Sequence, residues 1–195
     1  GAPSLDHLRT FTAIDDRELQ ARHGVVLREP PLLVTYHPVT LEYDRTEQHM
    51  GELLAALEKV EGDVVFTYPN ADTHSRRIIA MIRDFAARRP RTQVAVSLGT
   101  QAYFTLMTRA VAMVGNSSSG IVEAPSFALP VVNIGSRQQG RLRARNVIDV
   151  GTTRTEILEG IERAIAPDFR RSLETLANPY GDGGAAERIV RVLAE

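Results

Sequence analysis

Short apolar runs alternate with longer amphipathic ones along most of this chain. The runs are Leu32–Tyr36, Asp63–Thr67, Val94–Val96, Val111–Val114, Pro130–Ile134 and Asn146–Val150. Each is too short for a helix and too apolar to have a wetted face, so each reads as a strand buried on both sides. Between them, Met50, Leu53, Leu54, Leu57 and Val60 recur at helical spacing, as do Ile78, Met81, Ile82 and Phe85. Tyr103, Phe104 and Met107 begin a further helix, and another follows Val114. Strand–helix alternation at this spacing predicts an α/β fold with a doubly wound parallel sheet. Asp15 and Asp16 predict a cap for a short leading helix that ends at Gly24. The end is helical: Ile157, Leu158, Ile161 and Ile165 mark one helix, and Pro167 opens a second with Phe169, Leu173 and Leu176. After the turn-rich break Asn178–Gly184, a last helix carries Ile189, Val190 and Leu193.

The 195 residues, 43% hydrophobic and 24% charged, suit one compact domain or two small ones with a full core, and residues 1–195 are taken as one. A net charge of -1 supplies no basic field for nucleic acid or a membrane surface, so neither partner is expected. No apolar stretch approaches a transmembrane span. The absence of cysteine excludes disulfides, thiolate metal ligands and a thiol nucleophile, and fits a reducing, cytoplasmic setting. His7, His23, His49 and His74 lack ligand-like spacing, so no metal site is expected.

Chemistry concentrates in Gly115-Asn116-Ser117-Ser118-Ser119-Gly120-Ile121-Val122-Glu123-Ala124-Pro125. A strand runs into a turn of small, hydroxylated residues, where the backbone comes close to a ligand and helix-opening N–H groups favour an anion. Glu123 is expected one to two helical turns further in, partly buried by Ile121, Val122 and Pro125. A diphosphate at the turn and a ribose diol at the carboxylate fit that layout. In open α/β sheets ligands sit beyond the carboxyl ends of the strands. His37, Asn70, Ser117 to Ser119 and the region of Arg137 are all expected there.

Five stretches together resemble the hydrolysing UDP-N-acetylglucosamine 2-epimerases. They are Thr35-Tyr36-His37-Pro38-Val39-Thr40-Leu41-Glu42, Tyr68–Asp72, Gly115–Pro125, Asn133–Arg141 and Asn178–Gly183. The similarity is greatest to the branch that makes N-acetylmannosamine for sialic-acid-type sugars. It implies a Rossmann-like domain, one half of a GT-B architecture, with carboxy-terminal helices, of which residues 178–195 cross to an amino-terminal half that carries the acid/base carboxylates. Gly1 to Leu5 resembles the start of the inter-domain segment. The implied reaction releases UDP by elimination across C1–C2 and adds water, without a nicotinamide or other cofactor. The implied partners are UDP or a UDP-N-acetylhexosamine and the other half; the domain alone is expected to be inactive and monomeric. A GT-B glycosyltransferase half, a non-catalytic nucleotide-binding module and an epimerase of UDP-2,4-diacetamido-trideoxyhexoses are the alternative readings.

The resemblance assigns His37 to catalysis at the leaving diphosphate, which an imidazole titrating near neutrality can protonate. The bland alternative is a histidine satisfying a strand-end carbonyl. Ser117 and Ser118 are matched to the phosphates, where helix capping would use the same donors. Glu123 is matched to the ribose hydroxyls, since a carboxylate accepts from two adjacent O–H groups, against an exposed glutamate in an ion pair. Asn70 is matched to sugar or phosphate, against a Pro-Asn turn; the bulky His74 nearby departs from the family's small residues. Arg137 is matched to the nucleotide through its planar fork, whereas Arg143 and Arg145 read as surface cations facing solvent or Asp149. Glu42 is read as orienting the His37 loop or capping the next helix.

Overall fold

The computed structural model describes residues 1–69 and 75–194. Six parallel strands form one sheet: β1 (Leu32–Thr35), β2 (Val64–Thr67), β3 (Thr92–Ala95), β4 (Ala112–Gly115), β5 (Val131–Ile134) and β6 (Val147–Val150). Their spatial order is β3-β2-β1-β4-β5-β6, the doubly wound order in which the chain reverses direction between β1 and β4. The register sets Thr35 beside Thr67 and Gly115, so three strands end level with one another.

Alternate side chains feed two cores. Val34, Phe66, Val114 and Val132 pack on one face with α2 (Thr46–Leu57), α3 (Ser75–Arg88) and α6 (Arg154–Ile165). Leu33, Val65, Met113 and Val131 point the other way, against α1 (Asp16–His23) and α4 (Gly99–Arg109). That period of two explains the unbroken apolar strands: both faces are covered. Asp15 caps α1 by accepting from the Glu18 N–H at 2.8 Å, and Gly24 closes it in the left-handed conformation, as its sequence implies. A capping box between Thr153 and Glu156 starts α6.

Several expectations differ. β3 runs from Thr92 to Ala95, leaving Val96 beyond its end and 70% exposed, and the edge strands β3 and β6 are only partly buried rather than covered on both faces. The helix after β4 is a single turn, α5 (Ser119–Val122), and Glu123 is its carboxyl cap rather than an interior residue. Pro125 has no N–H to donate to the Ile121 carbonyl, so the α-helical ladder stops and a short 3-10 turn, Ala124–Phe127, takes over. The chain finishes with α7 (Pro167–Ser172) and α8 (Ala185–Leu193). Two 3-10 segments that periodicity does not reveal, Pro3–Thr10 and Thr40–Arg45, flank the carboxyl end of the sheet.

Candidate functional site

The site grows from the switch point between β1 and β4. Gly115 ends β4 at φ 135°, and a Cβ there would stand 2.0 Å from the carbonyl oxygen of Thr35. Only glycine permits that approach. It brings Asn116, fully buried, against the chain leaving β1. The Asn116 carboxamide accepts from the His37 N–H at 2.7 Å and donates to the His37 carbonyl at 2.9 Å. The Asn116 backbone carbonyl accepts from Arg137 Nη1 at 3.0 Å and Gln138 Nε2 at 2.8 Å. One residue therefore joins the ends of β1, β4 and β5. Burial, and then the charge of Arg141, lower the pKa of Arg137.

The serine turn follows directly. Ser119 N–H donates to Ser117 Oγ at 3.3 Å, so the first hydroxyl turns back on the helix start. The Tyr103 hydroxyl, from α4, lies beside the hydroxyls of Thr35, Ser119 and Ser117. Burial raises its pKa, with Glu123 adding to the effect, against those neighbouring hydroxyls, which lower it. Glu123 is half-buried. Its Oε1 accepts from Ser4 Oγ at 2.5 Å. Ser119, Glu123, Tyr103, Tyr68 and Ser4 line a cavity of about 450 Å³ beyond the ends of β2 and β3, within the range of small-molecule sites.

A second layer braces the histidine loop. Glu42 Oε1 accepts from Ser136 Oγ at 2.5 Å, and its Oε2 lies 3.6 Å from Nδ1 of buried His49. Glu42 thus ties its loop to the Arg137 segment and does not cap α2, whose N-cap is Arg45. Burial, and then Arg45, hold the His49 imidazole below its ordinary pKa, against Glu42 and Asp44. Burial, with Glu42, pushes the Tyr36 phenol up to about 12.

Of the residues singled out from sequence, His37 and Arg137 meet at Asn116 with Ser117 and Ser118 directly after it, and Glu123 lines the cavity beyond the ends of β2 and β3. Asn70 and His74 lie outside the described residues. Arg143 pairs with Asp149 at 2.9 Å, as expected of a surface cation. Sequence reading missed Asn116, Tyr103 and Ser4. Asn116 carried one signal, an amide directly after a strand-ending glycine. Among the described residues no group of three or more His, Asp or Glu side chains is placed to hold a metal ion. None of the described helices is long and apolar enough to cross a membrane.

Comparison with known proteins follows the same lines. A family model described as UDP-N-acetylglucosamine 2-epimerase matches residues 1–194. The hydrolysing UDP-N,N'-diacetylbacillosamine 2-epimerase of Legionella pneumophila is 34% identical over 194 residues, 99% of this chain and 50% of that protein. The hydrolysing GDP/UDP-N,N'-diacetylbacillosamine 2-epimerase of Campylobacter jejuni is 32% identical over 167 residues, 85% of this chain and 43% of its own length. The crystal structure of Neisseria meningitidis UDP-GlcNAc 2-epimerase bound to UDP-GlcNAc superposes with a TM-score of 0.75 at 22% identity. That match covers 98% of this chain and 51% of the other. The chain spans about half the length of these relatives, and its fold is one half of the GT-B architecture. With the family model matching nearly every residue, the chain belongs to the UDP-N-acetylglucosamine 2-epimerase family.

Proposed function

We propose that this domain is the UDP-binding half of a hydrolysing 2-epimerase that converts UDP-N-acetylglucosamine to N-acetylmannosamine and UDP. The observation that carries the reading is the Asn116 junction, which holds His37, the serine turn and Arg137 together at the switch point of the sheet. A diphosphate there meets the arginine fork, the turn's N–H and hydroxyl donors and the His37 imidazole. Glu123, in the adjoining cavity, accepts from the ribose diol.

The role of this half is to hold and release the leaving group. The proton leaves C2 as the C1–O bond breaks, and the electrons of that bond depart with UDP. His37 donates a hydrogen bond or proton to the departing diphosphate. Water then supplies hydroxyl to C1 and a proton returns to C2 on the opposite face. The carboxylates that move the C2 proton are assigned to the amino-terminal half, so this domain alone binds UDP without turnover. No cofactor takes part, and the enzyme works in the cytoplasm. Residues 178–195 are assigned to the junction with that half. In support, α8 exposes Ile189, Val190, Val192 and Leu193, which is Leu193 at 81%.

A second reading concerns the sugar. Both relatives named above are diacetylbacillosamine epimerases, which favours a UDP-2,4-diacetamido-trideoxyhexose. We assign the choice between them to the other half and to the stretch around His74, which lies outside the described residues. Calorimetry of UDP and uridine against the wild-type chain and Glu123→Ala tests the nucleotide site. The uridine contribution disappears in the variant while the diphosphate contribution stays; equal binding by both proteins removes Glu123 from the site. In the full-length protein, N-acetylmannosamine released without an acceptor sugar separates epimerase from glycosyltransferase.

A further inference from the structure

The segment before the sheet also reaches the nucleotide cavity. Ser4 and His7, on the 3-10 turn Pro3–Thr10, line the same space as Glu123. The Ser4 hydroxyl donates to Glu123 Oε1 at 2.5 Å across 119 residues of sequence. That contact is held from both sides. The Ala2 N–H donates to the Tyr180 carbonyl at 2.9 Å, and Leu5 is fully buried. Asp6 faces away from the cavity and caps α8, accepting from the Ala185 and Ala186 N–H groups at 2.7 Å each; those bonds lower its pKa. Further on, Phe11 packs edge-on against Phe104 and Phe127 at 5.6 and 5.9 Å. Ser4 thus projects from a backbone anchored immediately before and after it.

We propose that Ser4 is a positioning residue of the nucleotide site: it fixes the Glu123 carboxylate for a ribose diol. This rests on the reading of Glu123 as the ribose-binding carboxylate. A glutamate has three side-chain torsions, and ordering them on ligand binding costs affinity. With Oε1 held by Ser4, the carboxylate is pre-oriented and Oε2 remains for a sugar hydroxyl. Because the same segment caps α8 through Asp6, the ribose contact is joined mechanically to the carboxy-terminal helix.

The test measures affinities of UDP and 2',3'-dideoxy-UDP for the wild-type chain, Ser4→Ala and Ser4→Thr. The dideoxy nucleotide keeps the base and diphosphate but offers no diol. Wild type prefers UDP, Ser4→Ala loses about three- to tenfold in UDP affinity with little change for the dideoxy form, and Ser4→Thr restores the preference. Melting curves establish that each variant is folded. A wild-type preference that survives in Ser4→Ala, or an increase in UDP affinity there, overturns the role of Ser4 alone. Equal binding of the two nucleotides by wild type overturns the Glu123 reading, and the role of Ser4 falls with it.

Discussion

The Asn116 side chain and the His37 peptide unit form a closed two-bond ring, with N–H···Oδ1 at 2.7 Å and Nδ2–H···O at 2.9 Å. An amide side chain reading a backbone in both directions fixes position and orientation together. Asn116 is fully buried and His37 partly so, which limits the competition of water for either bond. The His37 backbone is consequently held by the residue that follows a different strand, β4.

Asn116→Ala removes both hydrogen bonds that its side chain makes to the His37 peptide unit. The expected cost is about 1–3 kcal/mol of stability, with roughly tenfold weaker UDP binding because Arg137 and the serine turn share the same anchor. Asn116→Asp is worse than alanine, since a carboxylate oxygen then faces the His37 carbonyl. Urea denaturation and calorimetry on the three proteins check both parts.

Gly115→Ala is expected to be more severe than any surface change. Its Cβ would collide with the Thr35 carbonyl at 2.0 Å, and its φ of 135° is foreign to L-residues. The neighbouring atoms are backbone in a central strand and have nowhere to move. A loss of ~3 kcal/mol or more is expected, read as a shift in the urea midpoint. A stability within ~1 kcal/mol of wild type would show that the two strand ends are further apart.

His49 confers a dependence on pH. Burial depresses its pKa from the ordinary 6.5, so the folded protein keeps the imidazole neutral where the unfolded chain takes up a proton. Stability from this group is complete above about 6.5 and declines as pH falls toward the depressed folded value. The urea midpoint should therefore fall between neutral and mildly acidic pH, and His49→Gln should flatten that part of the profile. An unchanged profile in the variant would assign the acid sensitivity to other groups.

The strands and the switch-point cluster were legible because both follow from local pattern. Largely apolar runs such as Leu32–Thr35 and Val64–Thr67 have few alternatives to a doubly covered sheet, and Ser-Ser-Ser-Gly after a strand has few alternatives to a tight turn. What stayed hidden was long-range. No spacing links position 37 to 116, or 4 to 123, although each pair is hydrogen-bonded. Tyr103 looked like one more apolar helix position, yet its hydroxyl lies among three others. The length of α5 was misjudged because the apolar residues Ile121 and Val122 extend the helical pattern, while Pro125 decides where helical geometry stops. Local propensity set the elements; the register of β1 against β4 set which residues met.

Glu42 and Ser136 provide the last test, because their side-chain hydrogen bond links the His37 loop to the residue next to Arg137. A hydroxyl donating to a carboxylate is stronger than a neutral pair, but this one is exposed to solvent. A double-mutant cycle with Glu42→Gln and Ser136→Ala should give a coupling of ~1 kcal/mol in stability. UDP affinity should fall by a similar factor in either single variant and no further in the double, since either change frees the two loops from each other. Independent, additive losses would mean that Glu42 acts through His49 instead, 3.6 Å from its other oxygen.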